Sequence, residues 1–368
     1  MAETENLWGG RFTGKPDETF AEFNNSFRFD RRLFAADALT SIAHANALFN
    51  AHILNQSEAG TIIKSLKKLL DQAISEANFF ENSDAEEDVH SFIESKLVAM
   101  IGETGKKLHA GRSRNDQVAT AFRLWLREEI DVIRTEIRNL RNALLEAATR
   151  HKDAVLPGYT HMQKAQPILW AHWCLAYFEM FSRDRERLDE VWRRVNVLPL
   201  GAGTAFEIDR EEIARALGFE GVAANSLDAA ADADFAVEAV GACALLMIHL
   251  SRLAEDLIAY NSAEFGFINF DETFLDASNF PSPKKHSEIL ELIRAKAGRI
   301  FGHQSALFST LKSLPLGVHK DLQESLTAVF DSVDTVKFCL SIVSIIVESL
   351  RVSETKTLAA INDYPNTD

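Results

Sequence analysis

Cysteine is scarce in this chain of 368 residues, which contains only three. Cys174, Cys243 and Cys339 lie far apart in apolar helical runs, without metal-ligand spacing or any logic for pairing. An odd number of cysteines in apolar surroundings is typical of reduced thiols in a protein core. The cysteine pattern therefore predicts a cytoplasmic protein without a disulfide framework.

Positive charge is also in deficit, with 39 Lys and Arg against 54 Asp and Glu, a net charge of -15 and a sequence pI of about 5.3. No basic patch is interleaved with aromatic residues, which argues against a nucleic-acid partner. The segment Met1–Asn6 is acidic and has no apolar signal stretch. The most apolar run, 239–250, is too short to span a bilayer, and we expect it to form a helix buried on all sides.

Long alternating strand patterns and prolines inside helical patterns are both missing. Three shorter helical segments are predicted at 31–53, 57–77 and 86–102, and long proline-free segments of helical period follow at about 116–151, 168–196, 228–263, 284–313 and 321–352. The pattern predicts an all-α protein with a smaller N-terminal helical domain (1–110), a central long-helix bundle (111–355) and a C-terminal stub (356–368). Apolar residues cover such broad faces of the long helices that we expect subunits to share the bundle.

The segment Leu108–Gln117 combines an imidazole, two guanidiniums, a hydroxyl, an amide and a carboxylate around Gly111. It precedes a long helix, and the N-terminus of a helix favours anions. Arg112 and Arg114 can each hold a carboxylate in two hydrogen bonds. A helix cap with solvated charges is the plainer alternative, but the crowding of different donors favours an anion-binding loop.

Two further polar segments are candidate sites. Residues 158–167 read as a turn that feeds a helix, with a hydroxyl and an amide within two residues of His161; a capping turn with an incidental histidine is equally compatible. Residues 276–287 form a proline-rich irregular loop that runs into a helix, and composition alone favours a plain surface loop there.

Together these segments resemble the argininosuccinate lyase family of the fumarase/aspartase superfamily. Gly111–Asp116 reproduces the family's Gly-Arg-Ser-Arg-Asn-Asp, and the other two segments recur in the family's order. The resemblance runs from Trp8–Phe12 to Lys320–Glu324, thus over nearly the whole chain. It implies an all-α, fumarase/aspartase-like homotetramer that cleaves argininosuccinate, a dicarboxylate, to arginine and fumarate for arginine biosynthesis, without a metal or organic cofactor.

The resemblance also implies residue roles. Ser278 is the expected base, Lys284 helps to hold a carboxylate, and His161 with Glu291 assists the leaving group. A serine can act as this base only where nearby donors stabilise its alkoxide. Further residues are expected to contact the substrate or lie next to it: Ser26, Asp30, His90, Arg112, Asn115, Thr160, Gln163 and Gln323.

Several positions depart from the family pattern. The turn 199–204 is shorter, and other residues stand at former polar positions or in the third motif: Ala231, Ala233, Ala277, Asn279, Pro281, Ser282, His286, Ser287, Val318 and Leu326. The chain also ends at Asp368, where the family continues into a further helical domain. We expect a slow but measurable lyase. Two alternatives remain open: a related lyase for another amino- or hydroxy-dicarboxylate, and a non-catalytic structural or binding paralogue.

Overall fold

A computed structural model describes residues 17–81, 83, 86–203, 206–271 and 288–362, together with the backbone of 276–277 and 285–286. Five long helices dominate it: α7 (Arg114–Arg150), α8 (Trp170–Val195), α11 (Asp234–Asn261), α12 (Glu288–Leu311) and α13 (Leu322–Ser349). Apolar residues at steps of three and four along α7, among them Ile130, Ile133, Ile137, Leu140 and Leu144, are all buried. The prediction of a mostly helical protein is confirmed.

Polar contacts fix the directions of the long helices. Arg134 pairs with Asp189 and Arg123 bonds the carbonyl of Arg194, so α8 runs antiparallel to α7. The Lys337–Glu129 ion pair and the bonds from Arg150 to the carbonyls of Glu348 and Leu350 make α13 parallel to α7. By the same reasoning α11 runs parallel to α7, and α12 returns antiparallel to α11. The N-termini of α7, α11 and α13 therefore share one end of the bundle.

An N-terminal lobe packs on that end. Its helices are short except for α3 and α4: α1 (Glu18–Asn24), α2 (Phe27–Asp30), α3 (Phe34–Asn50), α4 (Gln56–Ser75), α5 (Val89–Ile101) and α6 (Glu103–Lys106), with 3-10 turns at Arg31–Leu33 and Lys107–His109. Five phenylalanine rings pack together in its core, mostly edge to face: Phe27, Phe34, Phe79, Phe80 and Phe92. Arg32 lies over the ring of Phe330, so the lobe and α13 are in direct contact.

Although the sequence has no long alternating strand pattern, four short two-stranded pairs connect the helices within the described residues. The strands are β1 (Val155–Thr160) with β2 (Gln163–Leu169), β3 (Val197–Leu198) with β4 (Gly221–Val222), β5 (Ile268–Asn269) with β8 (Arg351–Val352), and β6 (Asp276–Ala277) with β7 (Lys285–His286). Only the β3–β4 pair is parallel. Three small helices complete the described chain: α9 (Arg210–Leu217), α10 (Ser226–Ala229) and α14 (Glu354–Asn362).

Helix α11 corrects one expectation. The whole helix has 28 residues and is apolar enough to cross a membrane by length and composition, although the apolar run 239–250 within it is too short to do so. About three-fifths of its most apolar window, 61%, is buried inside the fold, as in the core helix of a soluble protein. It is not buried on all sides within one chain, because 38% of Ile248 is exposed.

Candidate active site

The N-terminus of α7 is built by a capping box. Ser113 is the N-cap residue and accepts a hydrogen bond from the backbone N–H of Asn115 (3.1 Å), while Asp116 accepts one from the N–H of Ser113 (3.1 Å). Gly111 precedes the cap with φ +71°, a conformation that glycine adopts without strain. The second oxygen of Asp116 accepts from the N–H of Gly201 (3.0 Å), which ties the turn after Pro199 to this helix start.

Glu94 on α5 contacts three basic side chains at and just before the start of α7. Its carboxylate lies 3.3 Å from Arg112 Nη2, 3.0 Å from Arg114 Nη2 and 3.4 Å from His109 Nδ1. The guanidinium of Arg112 is completely buried and also donates to Ser41 Oγ (2.9 Å). The side chain of Arg114, by contrast, is 20% exposed. Arg114 is therefore the guanidinium of this loop that reaches solvent, and Arg112 fixes the loop from below.

A cavity of about 290 Å³ opens beside Arg114. It is lined by Glu87, Asp88, Ser91, His109 and Arg114. Lys320, which precedes α13, reaches to 3.9 Å from Glu87 and so brings the start of α13 to this end of the molecule. Gln323 lies half-buried in the first turn of that helix. The structure thus places Gln323 at the same end of the bundle as Arg112 and Asn115.

Ser26 and Asp30 are buried next to the cavity wall. The backbone N–H of Ser26 donates to the carbonyl of Glu87 (2.9 Å), and its hydroxyl donates to Asp30 Oδ2 (2.6 Å). The N–H of Val89 donates to Asp30 Oδ1 (3.0 Å). Burial raises the pKa of Asp30 to about 6, although these hydrogen bonds and the charge of His90 act in the opposite direction. A strongly shifted acid beside a cavity is a candidate functional group.

His90 is a buried histidine next to a buried carboxylate. Its Nδ1 lies 3.3 Å from Asp37 Oδ1, at ion-pair distance but without hydrogen-bond geometry. Burial is the largest single influence and lowers the pKa of His90, but the interactions with Asp37 and the charge of Asp88 together raise it overall. Gln117 Nε2 donates to both oxygens of Asp37 (2.8 and 3.0 Å) and holds the carboxylate in place. A buried imidazole with a raised pKa therefore lies in the same lobe as Ser26 and Asp30.

Replacing Asp30 with Asn should change how stability depends on pH. Because the pKa of Asp30 is higher in the folded than in the unfolded chain, the folded state binds more protons between about pH 4 and 6, and stability falls as pH rises through this range. Asp30→Asn removes this loss and keeps an oxygen that can accept from Val89. Relative to the parent, the variant should gain about 3 kcal/mol at most between pH 4 and pH 7, measured by urea unfolding. Asp71→Asn, on the exposed face of α4, serves as the control and should show no such gain.

The second motif forms a β-hairpin rather than a turn that feeds a helix, which corrects the expectation for residues 158–167. Thr160 pairs with Gln163 across a two-residue turn of His161 and Met162. Both turn residues have positive φ, +52° and +59°, which costs roughly 1–2 kcal/mol for each non-glycine residue. Thr160, His161 and Gln163 are all exposed at the tip. Strained backbone of this kind is common at functional sites.

The candidate residues around Asn115 and those of the His161 hairpin lie at opposite ends of the helical bundle. Helix α7 has 37 residues, about 55 Å at 1.5 Å per residue, and it separates Asn115 from the hairpin of His161. Glu291 is exposed in the first turn of α12, at the hairpin end, and no hydrogen bond or ion pair joins it to His161 within the described chain. Ser278 and Lys284 lie outside the described residues.

Comparisons with known proteins identify the fold and the family. A family model described as "Lyase" matches residues 10–302. In fold, the chain is similar to a fumarate lyase:delta crystallin from Brucella melitensis (TM-score 0.79, 18% identity, 92% of this chain and 83% of that one). It is also similar to a class II fumarase from Schistosoma mansoni (TM-score 0.81, 14% identity, 93% and 82%). These identities establish the fold alone, which is that of the fumarase/aspartase superfamily of lyases.

Sequence relatives narrow the family. An argininosuccinate lyase of Desulforudis audaxviator is 49% identical over 352 residues, 95% of this chain and 76% of that protein. One of Acetivibrio thermocellus is 44% identical over 358 residues, 96% and 78% respectively. The chain belongs to the argininosuccinate lyase family, as its motifs predicted, and it spans about three-quarters of the length of these relatives.

Sequence reasoning missed Glu94 and the cavity residues Asp88 and His109. Glu94 lies four residues after His90 on α5, so helical spacing could have placed it on the same face. His109 stands within the first motif and was noted there without a role. Asp88 caps α5 through the N–H of Ser91 (2.6 Å), a local signal that indicates structure rather than a site.

Proposed function

We propose that this chain cleaves argininosuccinate to arginine and fumarate by β-elimination. One structural feature supports a dicarboxylate substrate most directly. At the N-terminus of α7, Arg114 and His109 face a cavity beside the buried cluster of Ser26, Asp30 and His90. Helix termini and guanidiniums both bind carboxylates. The fumarate-related substrate of the family fits such a site.

The chemistry requires a base, an acid and cations placed in advance. Ser278 takes the proton from the carbon next to a carboxylate, and the carbon–nitrogen bond to the neighbouring carbon then breaks. The electron pair of the broken C–H bond becomes the new double bond of fumarate, and the leaving nitrogen of arginine is protonated on the side of His161 and Glu291. Lys284 stabilises the doubly charged carboxylate of the intermediate.

The two arginines of the first motif should respond differently to substitution. The resemblance implies that Arg112 and Lys284 hold the dicarboxylate, so Arg112→Ala or Lys284→Ala should weaken its binding; because the guanidinium of Arg112 is completely buried, we propose that Arg114 makes the contact of the first motif. Arg114→Met should weaken binding of succinate by about 1.5–3 kcal/mol, as one charge-assisted contact is lost. Arg112→Met should instead lower the free energy of unfolding by about 3 kcal/mol, because it removes the one completely buried guanidinium among the partners of Glu94 and the donor to Ser41.

Calorimetry with succinate and urea unfolding separate these effects. Equal succinate affinities for the parent and Arg114→Met, together with weaker binding by a stably folded Arg112→Met, would restore the original assignment. Lys320→Met is a matched control, since its ammonium is 61% exposed and pairs with Glu87 only at 3.9 Å. This control should change affinity much less than Arg114→Met does.

The separation of the two residue groups supports a homotetramer in which copies share each active site. One chain cannot bring Asn115 and His161 together across about 55 Å of helix. Large apolar side chains also stay exposed on the bundle helices: Val132, Leu145, Leu175, Ile248, Leu292, Phe301, Phe308, Phe338 and Ile345. Val132 and Phe338 line one groove between α7 and α13. Such patches mark interfaces, and a stable, folded monomer in light scattering would contradict this assembly.

Release of fumarate from argininosuccinate, followed by its absorbance, tests the activity. We expect a measurable rate that is low for the family, because the departures from the family pattern are expected to misplace the substrate. A misplaced substrate lowers the rate roughly a hundredfold, and a lost donor lowers it about as much again. Fumarate from another amino- or hydroxy-dicarboxylate alone would indicate a related lyase. No release from a tetramer that binds succinate would indicate a non-catalytic paralogue. The family consists of soluble enzymes, and we propose the cytoplasm as the compartment.

A further inference from the structure

The hairpin that carries His161 needs support from outside its own strands. Its tip holds two non-glycine residues at positive φ, and 81% of Met162 is exposed. The tip thus combines backbone strain with little packing of its own. A two-stranded hairpin is at best marginally stable by itself. Contacts to the two strands must therefore fix where His161 lies.

The first of these contacts comes from α14, the last helix of the described chain. Lys164, on β2 and three residues after His161, donates through Nζ to the carbonyl oxygen of Ala360 (2.8 Å). Ala360 lies in the last turn of α14, where the helix leaves carbonyl groups unpaired and its dipole favours a cation. The half-buried ammonium therefore joins the hairpin to the C-terminus of α14.

A second contact reaches the other strand. Tyr159, on β1 and two residues before His161, packs its ring edge to face against Phe265 (5.7 Å between centroids). Next to Phe265, Gly266 lies under the side chain of Lys356 from α14: a Cβ built on Gly266 would lie 2.7 Å from Lys356 Nζ and 3.0 Å from its Cδ. Helix α14 thus packs directly against β1 and holds β2 through Lys164, and Lys356 adds an indirect contact to β1 through residues 265–266.

The helix is itself anchored to the bundle. Strand β8, just before α14, pairs with β5, and the N–H of Ser353 donates to the carbonyl of Phe267 (2.8 Å). Thr357 on α14 is 1% exposed. Arg150, the last residue of α7, holds the same segment through the carbonyls of Glu348 and Leu350. Helix α14 is consequently held in place by the bundle.

We propose that α14 positions the hairpin of Thr160, His161 and Gln163 for the elimination, and that Lys164 is the positioning residue through which it acts. This inference rests on the proposed role of His161 in the reaction. Lys164 lies three residues from the tip and holds a backbone carbonyl, so it acts on the orientation of His161 rather than on the substrate. Its removal should lower kcat while KM changes little.

Lys164→Met tests this role, because it keeps the apolar stem and removes the ammonium. We expect kcat to fall about tenfold to a hundredfold, the usual cost of a misplaced catalytic group, with KM within about twofold. Hydrogen exchange of the amides of 159–164 should become faster. Lys164→Arg can still donate to Ala360 and should restore most of kcat. Lys152→Met, an exposed lysine at the same end of the bundle, is the matched control and should behave like the parent.

Lys356→Ala tests the second contact separately and should speed exchange around Tyr159. Parent-like kcat and exchange in Lys164→Met would overturn the inference. So would a loss of kcat that Lys164→Arg shares while exchange stays unchanged, since Lys164 would then act on the substrate directly. If the parent releases no fumarate, the proposed function fails, but the exchange experiment still decides whether α14 orders the hairpin.

Discussion

Mixing two inactive variants of this chain should restore activity. Asn115→Ala damages the end of the bundle at the α7 N-terminus, and His161→Ala damages the hairpin at the opposite end. If each site takes one end from each of two copies, random assembly of equal amounts leaves both contributions intact in about a quarter of the sites, since each is intact with a chance of one half. Unfolding the variants together, refolding them and measuring fumarate release should therefore yield about a quarter of the parent activity.

The matched control combines two lesions at the same end. His161→Ala mixed with Gln163→Ala should recover nothing, because every site then draws a damaged hairpin. Refolding each variant alone controls for partial reactivation. Absence of recovery in the Asn115 and His161 mixture, from tetramers shown by mass to contain both chains, would mean that one copy supplies both groups.

Ser278→Ala should reduce fumarate release to background. The hydroxyl of Ser278 is the proposed base, and no other group assigned to the site is placed by the resemblance to take the carbon-bound proton. Succinate binding should persist, since the carboxylates are held by Arg114 and Lys284. Steady-state kinetics together with calorimetry separate the two effects.

Ser282→Ala is the control for that experiment. It lies in the same segment, at a position where the family motif has proline and not a serine, and should leave the rate near that of the parent. Release of fumarate by Ser278→Ala at the parent rate would remove Ser278 from the mechanism and require another base. Loss of activity in Ser282→Ala alone would shift the alignment of the motif.

Helix periodicity predicted two of the long helices to within two residues at each end. The predicted 116–151 and 168–196 are observed as Arg114–Arg150 and Trp170–Val195, because broad apolar stripes and terminal caps act over many residues. The predicted 228–263 is instead two helices, Ser226–Ala229 and Asp234–Asn261. The break falls in an alanine-rich stretch whose composition gives no stop signal.

The hairpin was missed for a different physical reason. Pro157, Gly158 and Pro167 lie inside it, and such residues ordinarily demote a strand. The register shifts between Pro157 and Tyr159, so the alternation of side chains is broken as well. The strands pair with each other, and tertiary contacts such as that between Tyr159 and Phe265 stabilise them further. Because Tyr159 and Phe265 are far apart in sequence, no local sequence pattern predicts their contact.

The resemblance named candidate site residues, but the sequence did not predict how they lie relative to one another. Asp30, His90 and Arg112 were singled out by resemblance, and the structure groups them in one lobe. The complete burial of the Arg112 guanidinium depends on Glu94 and Ser41, which lie far from it in sequence. The distance from this lobe to His161 follows from the length of a helix. That distance shows that one chain does not bring the two groups of candidate residues together.

The length of α7 sets the distance between the Ser113 cap and the His161 hairpin. Deleting one residue from its middle would shorten it by about 1.5 Å and rotate one end against the other by about 100°. In the proposed tetramer, the cap at Ser113 and the hairpin beyond Arg150 would then no longer meet their counterparts in neighbouring copies. Insertions and deletions should be tolerated in loops but not in the middle of α7. A change in its span would have to be matched in α8, α11 and α13, close to whole multiples of seven residues, where two turns restore the facing side.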